Sequence, residues 1–545
     1  MLPSPSFTGR TALSLFLVVS ACSPPPSQRS ATPSASVAVP APPSIASSVA
    51  LDANSPKPAP SPSVRLKAAL QPSPLASIVW SGDGKAIATF CGPSCRWGPE
   101  HQRRVVVWSV PALEVKADVS PNKDDMGEGK IHNVAFTKDG ARLGTSTHNE
   151  IQVFDRDGYK LMTRIGLNAV YEAWRWSPDA RHLAASDAYG HGVLVDAASG
   201  AKKKDLQLHN GAASYSSSVV WSADGAWAAI EGNNLVRLAD MRGGAIKLSS
   251  KVISGKDNTA VATALSRDGQ WFAIVDTTGR VELWSTAAPA LRKVLVAGGA
   301  GPNAPAGRRI AFSPREDRLA VLYGDGSVRV WEVASRSGDL ASSEVRPRRA
   351  GLQDASLATL VWSADGRYLA WALDPDHSFG FWDAQGSSPS VTLGADARRG
   401  QASIRMSPVG HWLARADGQN VEVWDIDARR VQQRMAAAVV ESGGLAFSPD
   451  ASVLAAADGD VHFLRIKDGA TLTLRSLGIA KSRRSLQVAS WGGFTGDADL
   501  AKQDLEREGG SKLTSEDLAA SDAGLGARFF GELRQEDGKG GRKDQ

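Results

Sequence analysis

One short pattern is copied nine times along this chain, and that repetition restricts what the chain can fold into. The clearest copy is residues 310–333, I-A-F-S-P-R-E-D-R-L-A-V-L-Y-G-D-G-S-V-R-V-W-E-V. Pro314 closes a first strand, because proline cannot donate to a ladder. Residues 318–323 form a second apolar run, and Gly324-Asp325-Gly326 supplies the positive backbone dihedrals of a tight hairpin. Residues 327–331 then alternate polar with apolar at period two, as a half-buried strand does. Two hairpins cannot bury a core alone, so each copy has to stack against another.

Two landmarks set the period. The large apolar residue before Ser or Thr at the end of the first strand is Trp80, Phe136, Trp176, Trp221, Leu265, Phe312, Trp362, Met406 and Phe447. The spacings are 56, 40, 45, 44, 47, 50, 44 and 41 residues, close to the roughly 40–50 of a four-stranded propeller blade. The residue closing the third strand falls at Trp108, Phe154, Val195, Leu238, Trp284, Trp331, Trp382, Trp424 and Leu464. It follows the first landmark by 17 to 20 residues in eight copies and by 28 in the first. Turns such as Ser222-Ala-Asp-Gly225 and Ser363-Ala-Asp-Gly366 follow the first landmark. In them Asp bonds nearby amides and Gly admits positive φ. A fourth strand fits after each third one, for example near residues 204–208 and 471–474.

At these residues the sequence resembles the WD40 family of β-propellers, over about residues 75–477. The family's closing Trp-Asp stands at Trp382-Asp383 and Trp424-Asp425, with Phe154-Asp155, Val195-Asp196 and Trp331-Glu332 as looser forms. The Gly-His pair that usually precedes the first strand is absent from that place in every copy, so these divergent blades should lean on packing more than on its hydrogen-bond network. The expected fold is all-β: one ring of eight or nine antiparallel four-stranded blades over residues 65–480, with a short, partly helical extension over residues 481–545.

The amino terminus reads as an export signal. Residues 1–21 hold Arg10 and an apolar run too short to span a bilayer, and Val19-Ser20-Ala21-Cys22 resembles a bacterial lipobox. That resemblance implies acylation of Cys22 and, with Ser23 after the cysteine, the outer membrane; an ordinary cleavage after Ala21 is the alternative. Residues 22–64 are rich in Pro, Ser and Ala and read as a disordered tether. It would hold the propeller off the membrane, in the periplasm or at the cell surface.

The long interval of the first blade contains Cys91, Cys95, Trp97 and His101. With Cys22 lipidated, a Cys91–Cys95 disulfide is the default in an oxidising compartment. A metal site using His101 is the alternative, but it lacks a fourth ligand. No metal and no cofactor is therefore expected.

A net charge of +5 over 545 residues demands no polyanionic partner such as nucleic acid. Basic pairs, including Lys202-Lys203-Lys204, Arg308-Arg309, Arg398-Arg399 and Arg429-Arg430, read as loop charges that keep the surface soluble; an anionic ligand is the other reading. Of sixteen Trp, all but Trp97 and Trp491 fall at landmarks or in strands, and so read as core. After the last blade, residues 486–494 read as one more strand or turn and residues 497–508 as a short helix. The tail beyond Gly509 is expected to be peripheral to the ring.

No nucleophile elbow, zinc-protease helix or phosphate-binding loop occurs. The resemblance implies a non-catalytic platform binding another envelope protein. A carbohydrate or lipid receptor and a hydrolase or lyase working in the channel are the alternatives. Converging, perturbed carboxylates and His at the channel mouth would favour catalysis, exposed aromatics sugar, and a broad mixed surface protein.

Overall fold

The structure is a computed structural model. It describes most of residues 77–476, together with residues 64–66, 485–489, 494–496, 505–507, 525, 529 and 530. Cys22, Cys91, Cys95, Trp97, His101 and Trp491 lie outside the described residues.

Nine antiparallel sheets follow one another, eight of four consecutive strands in sequence order and the ninth of six, whose first four make its blade. They span residues 77–118, 133–166, 171–207, 217–251, 260–296, 307–346, 358–393, 403–436 and 445–476, numbered here as blades 1 to 9. Blade 6 is the pattern: Gly307–Phe312, Arg318–Tyr323, Val328–Glu332 and Ser342–Arg346. The expected landmarks meet across its second strand, where Leu319 pairs with Phe312 on one side and Trp331 on the other.

Stacking explains why the second strands are apolar without alternation. Leu319 to Tyr323 are all buried. Leu319, Val321 and Tyr323 pack towards blade 5, while Ala320 and Leu322 pack towards blade 7. A strand covered on both faces has no wet side to mark with polar residues. The first strands obey the same alternation. Each landmark faces the preceding blade and the residue before it faces the next, as with Phe312 against blade 5 and Ala311 against blade 7.

The first strands are innermost. Neighbouring blades approach most closely along them, as between Ala260–Leu265 and Gly307–Phe312. The fourth strands are outermost and carry most of the exposed positions, as in Leu161–Gly166.

The ring closes on itself. Ile78, Ile87, Val106 and Trp108 of blade 1 share one buried cluster with Val453, Val461, Phe463 and Leu474 of blade 9. This cluster also takes Leu525, Phe529 and Phe530 from the tail. Phe530 sits 6.3 Å from Trp80 and 5.5 Å from Phe463, centroid to centroid, both edge-on. Arg465 donates to the Phe529 carbonyl at 3.0 Å and covers its ring at 5.3 Å.

The tail is therefore not peripheral. Its three apolar residues fill the seam between the last blade and the first, and the expectation that it lies outside ring closure is corrected. The residues 497–508 expected as a helix contain instead a strand, Leu505–Arg507, paired antiparallel with Val64–Leu66. A partner some 440 residues away in the chain satisfies those backbone groups, and local propensity cannot anticipate it. The ninth sheet also runs beyond its fourth strand, adding Ser485–Ala489 and Phe494–Gly496. Gln487 reaches back from it to the Ala112 carbonyl of blade 1 at 3.2 Å.

Candidate functional site: the channel and its mouth

The mouth is built by the turns that follow the first landmark. In seven blades the Ser or Thr hydroxyl donates to the Asp two residues on, at 2.5 to 2.7 Å: Ser81, Thr137, Ser177, Ser222, Ser266, Ser363 and Ser448. That Asp also accepts an amide from the residue just before the next strand, for example Ala141 N–H on Asp139 at 3.0 Å. The hydroxyl accepts a second amide, such as Trp227 N–H on Ser222 at 2.9 Å. The turn is thus locked by one carboxylate oxygen, Oδ1, which takes both bonds. Five blades place Gly at the left-handed position with φ of 66–71°, while blades 3 and 9 force Ala180 and Ala451 into it at 58° and 56°.

These bonds fix the charge of the turns. The Thr137 hydroxyl and the Ala141 amide hold the Asp139 carboxyl below its ordinary value. A carboxyl with a lowered folded pKa stabilises above its unfolded pKa, and that stability is lost as pH falls through the folded value. Asp139→Asn is accordingly expected to cost about 1 kcal/mol at neutral pH and nearly nothing at pH 2. Urea melts of both proteins at the two pH values test this, and a cost unchanged at pH 2 would contradict it.

Blade 8 lacks the turn Asp. There His411 lies 3.3 Å from both Asp425 and Asp427, and Tyr368 of blade 7 donates to Asp427. Arg367 completes the group at 3.0 Å from Asp383 and 3.2 Å from Asp427. Burial and the neighbouring Asp427 push the Tyr368 phenol up. The group ties blade 7 to blade 8, with Tyr368 buried beneath the partly exposed Arg367, His411 and Asp427, so its place is that of a clamp.

Above the channel the turns converge. A cavity of about 550 Å³ is lined from four blades by Lys138, Asp224, Arg267, Asp268, Arg315 and Asp317. A second, of about 680 Å³, shares Arg267 and Arg315 and adds Trp221, Leu265 and Phe312. The mouth thus mixes both signs of charge with half-buried landmark side chains.

Below it, four indoles repeat one bond. Trp176 donates to the Ala135 carbonyl at 3.1 Å, Trp221 to Arg175 at 3.3 Å, and Trp362 to Ala311 at 3.2 Å. Trp80 donates to Ala446 at 3.3 Å, across the seam. Each acceptor is the residue before the landmark of the preceding blade, so the first and last blades are joined by the same bond as internal neighbours.

Among the described residues no group of three or more His, Cys, Asp or Glu is placed to hold a metal ion, and no helix is long and apolar enough to cross a membrane. The described landmark and strand Trp are core, with Trp108, Trp174 and Trp371 fully buried. The proposed Cys22, Cys91 and Cys95 sites lie outside the described residues. Lys203 sits on the outermost strand of blade 3, 3.4 Å from Asp196 and exposed, as a solubilising charge should be. Arg308 and Arg309 do not. They lie on the innermost strand of blade 6, which begins at Gly307 rather than at Ile310. Arg175 and Arg405, on the innermost strands of blades 3 and 8, were not singled out by the sequence at all. Their signal was present: a cation one place before a first landmark.

The fold and its site define a nine-bladed β-propeller of four-stranded antiparallel blades. Solved structures similar to it are also propellers, including a WD40 domain. The chain is similar to the β-propeller domain of Cps50 (Swd1) from Myceliophteria thermophila, with 12% identity, 66% of this chain and 99% of that one covered, and a TM-score of 0.40. It is similar to the C-terminal WD40 domain of Sif2, with 15% identity, coverages of 64% and 95%, and a TM-score of 0.46. It is also similar to a chain of the Mitotic Checkpoint Complex, with 18% identity, coverages of 62% and 100%, and a TM-score of 0.39. No family model matches the chain, and no curated protein matches it.

Proposed function

We propose that this chain is a non-catalytic interaction platform, a lipid-anchored propeller of the bacterial cell envelope that holds another envelope protein at its channel mouth. The observation that carries the reading is the composition of that mouth. Its turn carboxylates Asp224 and Asp268 are each held through one oxygen within their own turns, and around them stand Lys138, Arg267 and Arg315 beside half-buried Trp221 and Phe312. Such a mixed surface suits a protein partner better than an acid–base pair or an exposed aromatic platform.

In this reading Cys22 carries the acyl chains, residues 22–64 space the ring from the outer membrane, and the ring faces the periplasm or the cell surface. A Cys91–Cys95 disulfide fixes the insertion of the first blade as a second contact loop.

The test uses intact cells. A photo-crosslinker at Ala223, in the mouth, is expected to capture one dominant protein, and the same group at Lys203, on the outer wall, is not. Combining Ala223 crosslinking with Arg267→Glu and Arg315→Glu should reduce capture at least tenfold. Equal capture at both positions, or capture indifferent to the charge reversals, would refute the mouth as the docking face. In the same cells Cys22→Ser should move the protein into the soluble fraction; membrane sedimentation after a salt wash would place the anchor elsewhere.

A further inference from the structure

The larger of the two cavities at the mouth differs in chemistry from the smaller. Its volume of about 680 Å³ is floored by Trp221, Leu265, Phe312 and Pro314, and the charged residues in its wall are Arg267 and Arg315. Among the described residues that line it none is acidic; Asp224, Asp268 and Asp317 line the smaller cavity instead. Among the described residues neither guanidinium has a hydrogen bond or an ion pair, and both side chains are exposed.

Arg315 is where the repeat departs from its own rule. Seven blades place Asp two residues after the turn Ser or Thr, whereas blade 6 has Arg315 there and blade 8 the exposed Val409. Losing that Asp forgoes a turn bond worth about 1 kcal/mol, and the residue that replaces it is a cation. The Ser313 hydroxyl takes the Arg315 amide instead, at 3.4 Å. Gly366 of blade 7 packs against the base of the side chain, so closely that a Cβ there would come within 3.2 Å of the Arg315 Cβ. The stem is thus held while the guanidinium stays in solvent.

Arg267 and Arg315 follow Leu265 and Phe312 by two and three residues, so each cation stands no more than about 10 Å of chain from the apolar floor. A matching ligand carries a carboxylate equally close to an apolar group. A chain-terminal residue does so by construction, because its carboxylate and its side chain share one carbon. In an extended segment neighbouring side chains point to opposite faces, so an internal acid and its apolar neighbour do not enter together. Guanidinium forks fit a planar carboxylate, and the apolar floor disfavours phosphate, which is polar on every side. We propose that this cavity takes the C-terminal residue of the partner protein, its carboxylate between Arg267 and Arg315 and an apolar side chain on the floor. The inference rests on the mouth being the docking face.

The probe is fluorescein-labelled Gly-Ser-Gly-Ser-Gly-Phe with a free carboxyl terminus, titrated with the purified full chain and read by fluorescence polarisation. Its C-terminal amide and the same peptide ending in Ser are the comparisons. One site per chain is expected, at least tenfold tighter for the free acid ending in Phe than for either comparison, and weakening as salt is raised. Arg267→Gln and Arg315→Gln should each weaken binding at least tenfold, while Lys203→Gln, on the outer wall, should leave it unchanged. Arg315→Asp installs the residue of the seven other blades, so it should abolish binding with no fall in Tm, which separates loss of the site from loss of the fold. Equal binding of the amide, of the Ser-ended peptide or of an amidated peptide with an internal Asp-Phe would overturn the proposal, as would full binding by Arg315→Asp. Dodecanoate binding more tightly than the peptide would make the occupant a lipid and overturn it too. Peptides that fail to discriminate, while the Ala223 crosslinker still captures one protein in cells, would sink the chain-end inference and leave the docking face standing. Discriminating peptides with no capture in cells would do the reverse.

Discussion

Truncating the chain after residue 508 is expected to destabilise the whole ring, not to trim a loose end. The truncation removes Leu525 and Phe529, both fully buried, and Phe530, from a cluster that joins blade 1 to blade 9. Phe529→Ala alone should cost about 3–5 kcal/mol, the range for deleting a large side chain from a packed core. It also strips Arg465 of the ring it covers. Truncation should cost more, because blades 1 and 9 then lose part of the packing that spares them from being ends. In a repeat array each unit is held by its neighbours, and an opened ring has two terminal units with one bare face each. Thermal and urea melts of the full chain, Phe529→Ala and the truncation should rank in that order of falling stability. Indistinguishable melts would mean that the tail only rests on the ring.

Trp80→Ala is expected to be the most damaging of the four mouth-side indole substitutions, at about 3 kcal/mol. Trp80 combines the interblade bond to Ala446 with edge contacts to Phe463 and Phe530. The subtler comparison is Trp→Phe, which keeps most of the packing and removes the N–H. At positions 80, 176, 221 and 362 it should cost a similar amount, about 1 kcal/mol, for leaving a main-chain carbonyl without that donor. Equality at position 80 is the informative outcome. Its acceptor is 366 residues away, and in an open arrangement the bond would not exist. A silent Trp80→Phe beside a costly Trp362→Phe would contradict closure.

The blades were legible because each is specified locally. A strand, a turn with Ser and Asp, and a second strand lie within about 20 residues, and nine copies repeat the signal. The turn chemistry read from Asp and Gly was that observed, down to Asp139 receiving the Ala141 amide. The seam was not legible. Nothing local in Leu525, Phe529 and Phe530 says that they fill a gap between residues 78 and 474, and the strand Leu505–Arg507 is defined only by its distant partner. The arginines of the innermost strands were hidden for a related reason. Arg308-Arg309 looks like any basic pair until the first strand of blade 6 is known to start at Gly307 and to be the innermost.

Hydrogen exchange of the native chain tests the closed ring most directly. The second strands, Ala86–Phe90 in blade 1 and Val453–Ala457 in blade 9, are as buried as Arg318–Tyr323 in blade 6 beyond its first residue. In a closed ring no blade is an end, so amides in all three should exchange with similar protection, near the global unfolding free energy. After truncation at residue 508, blades 1 and 9 should lose protection first, while blade 6 loses it last. Blades 1 and 9 exchanging far faster than blade 6 in the full-length chain would show an array with free ends and contradict the account.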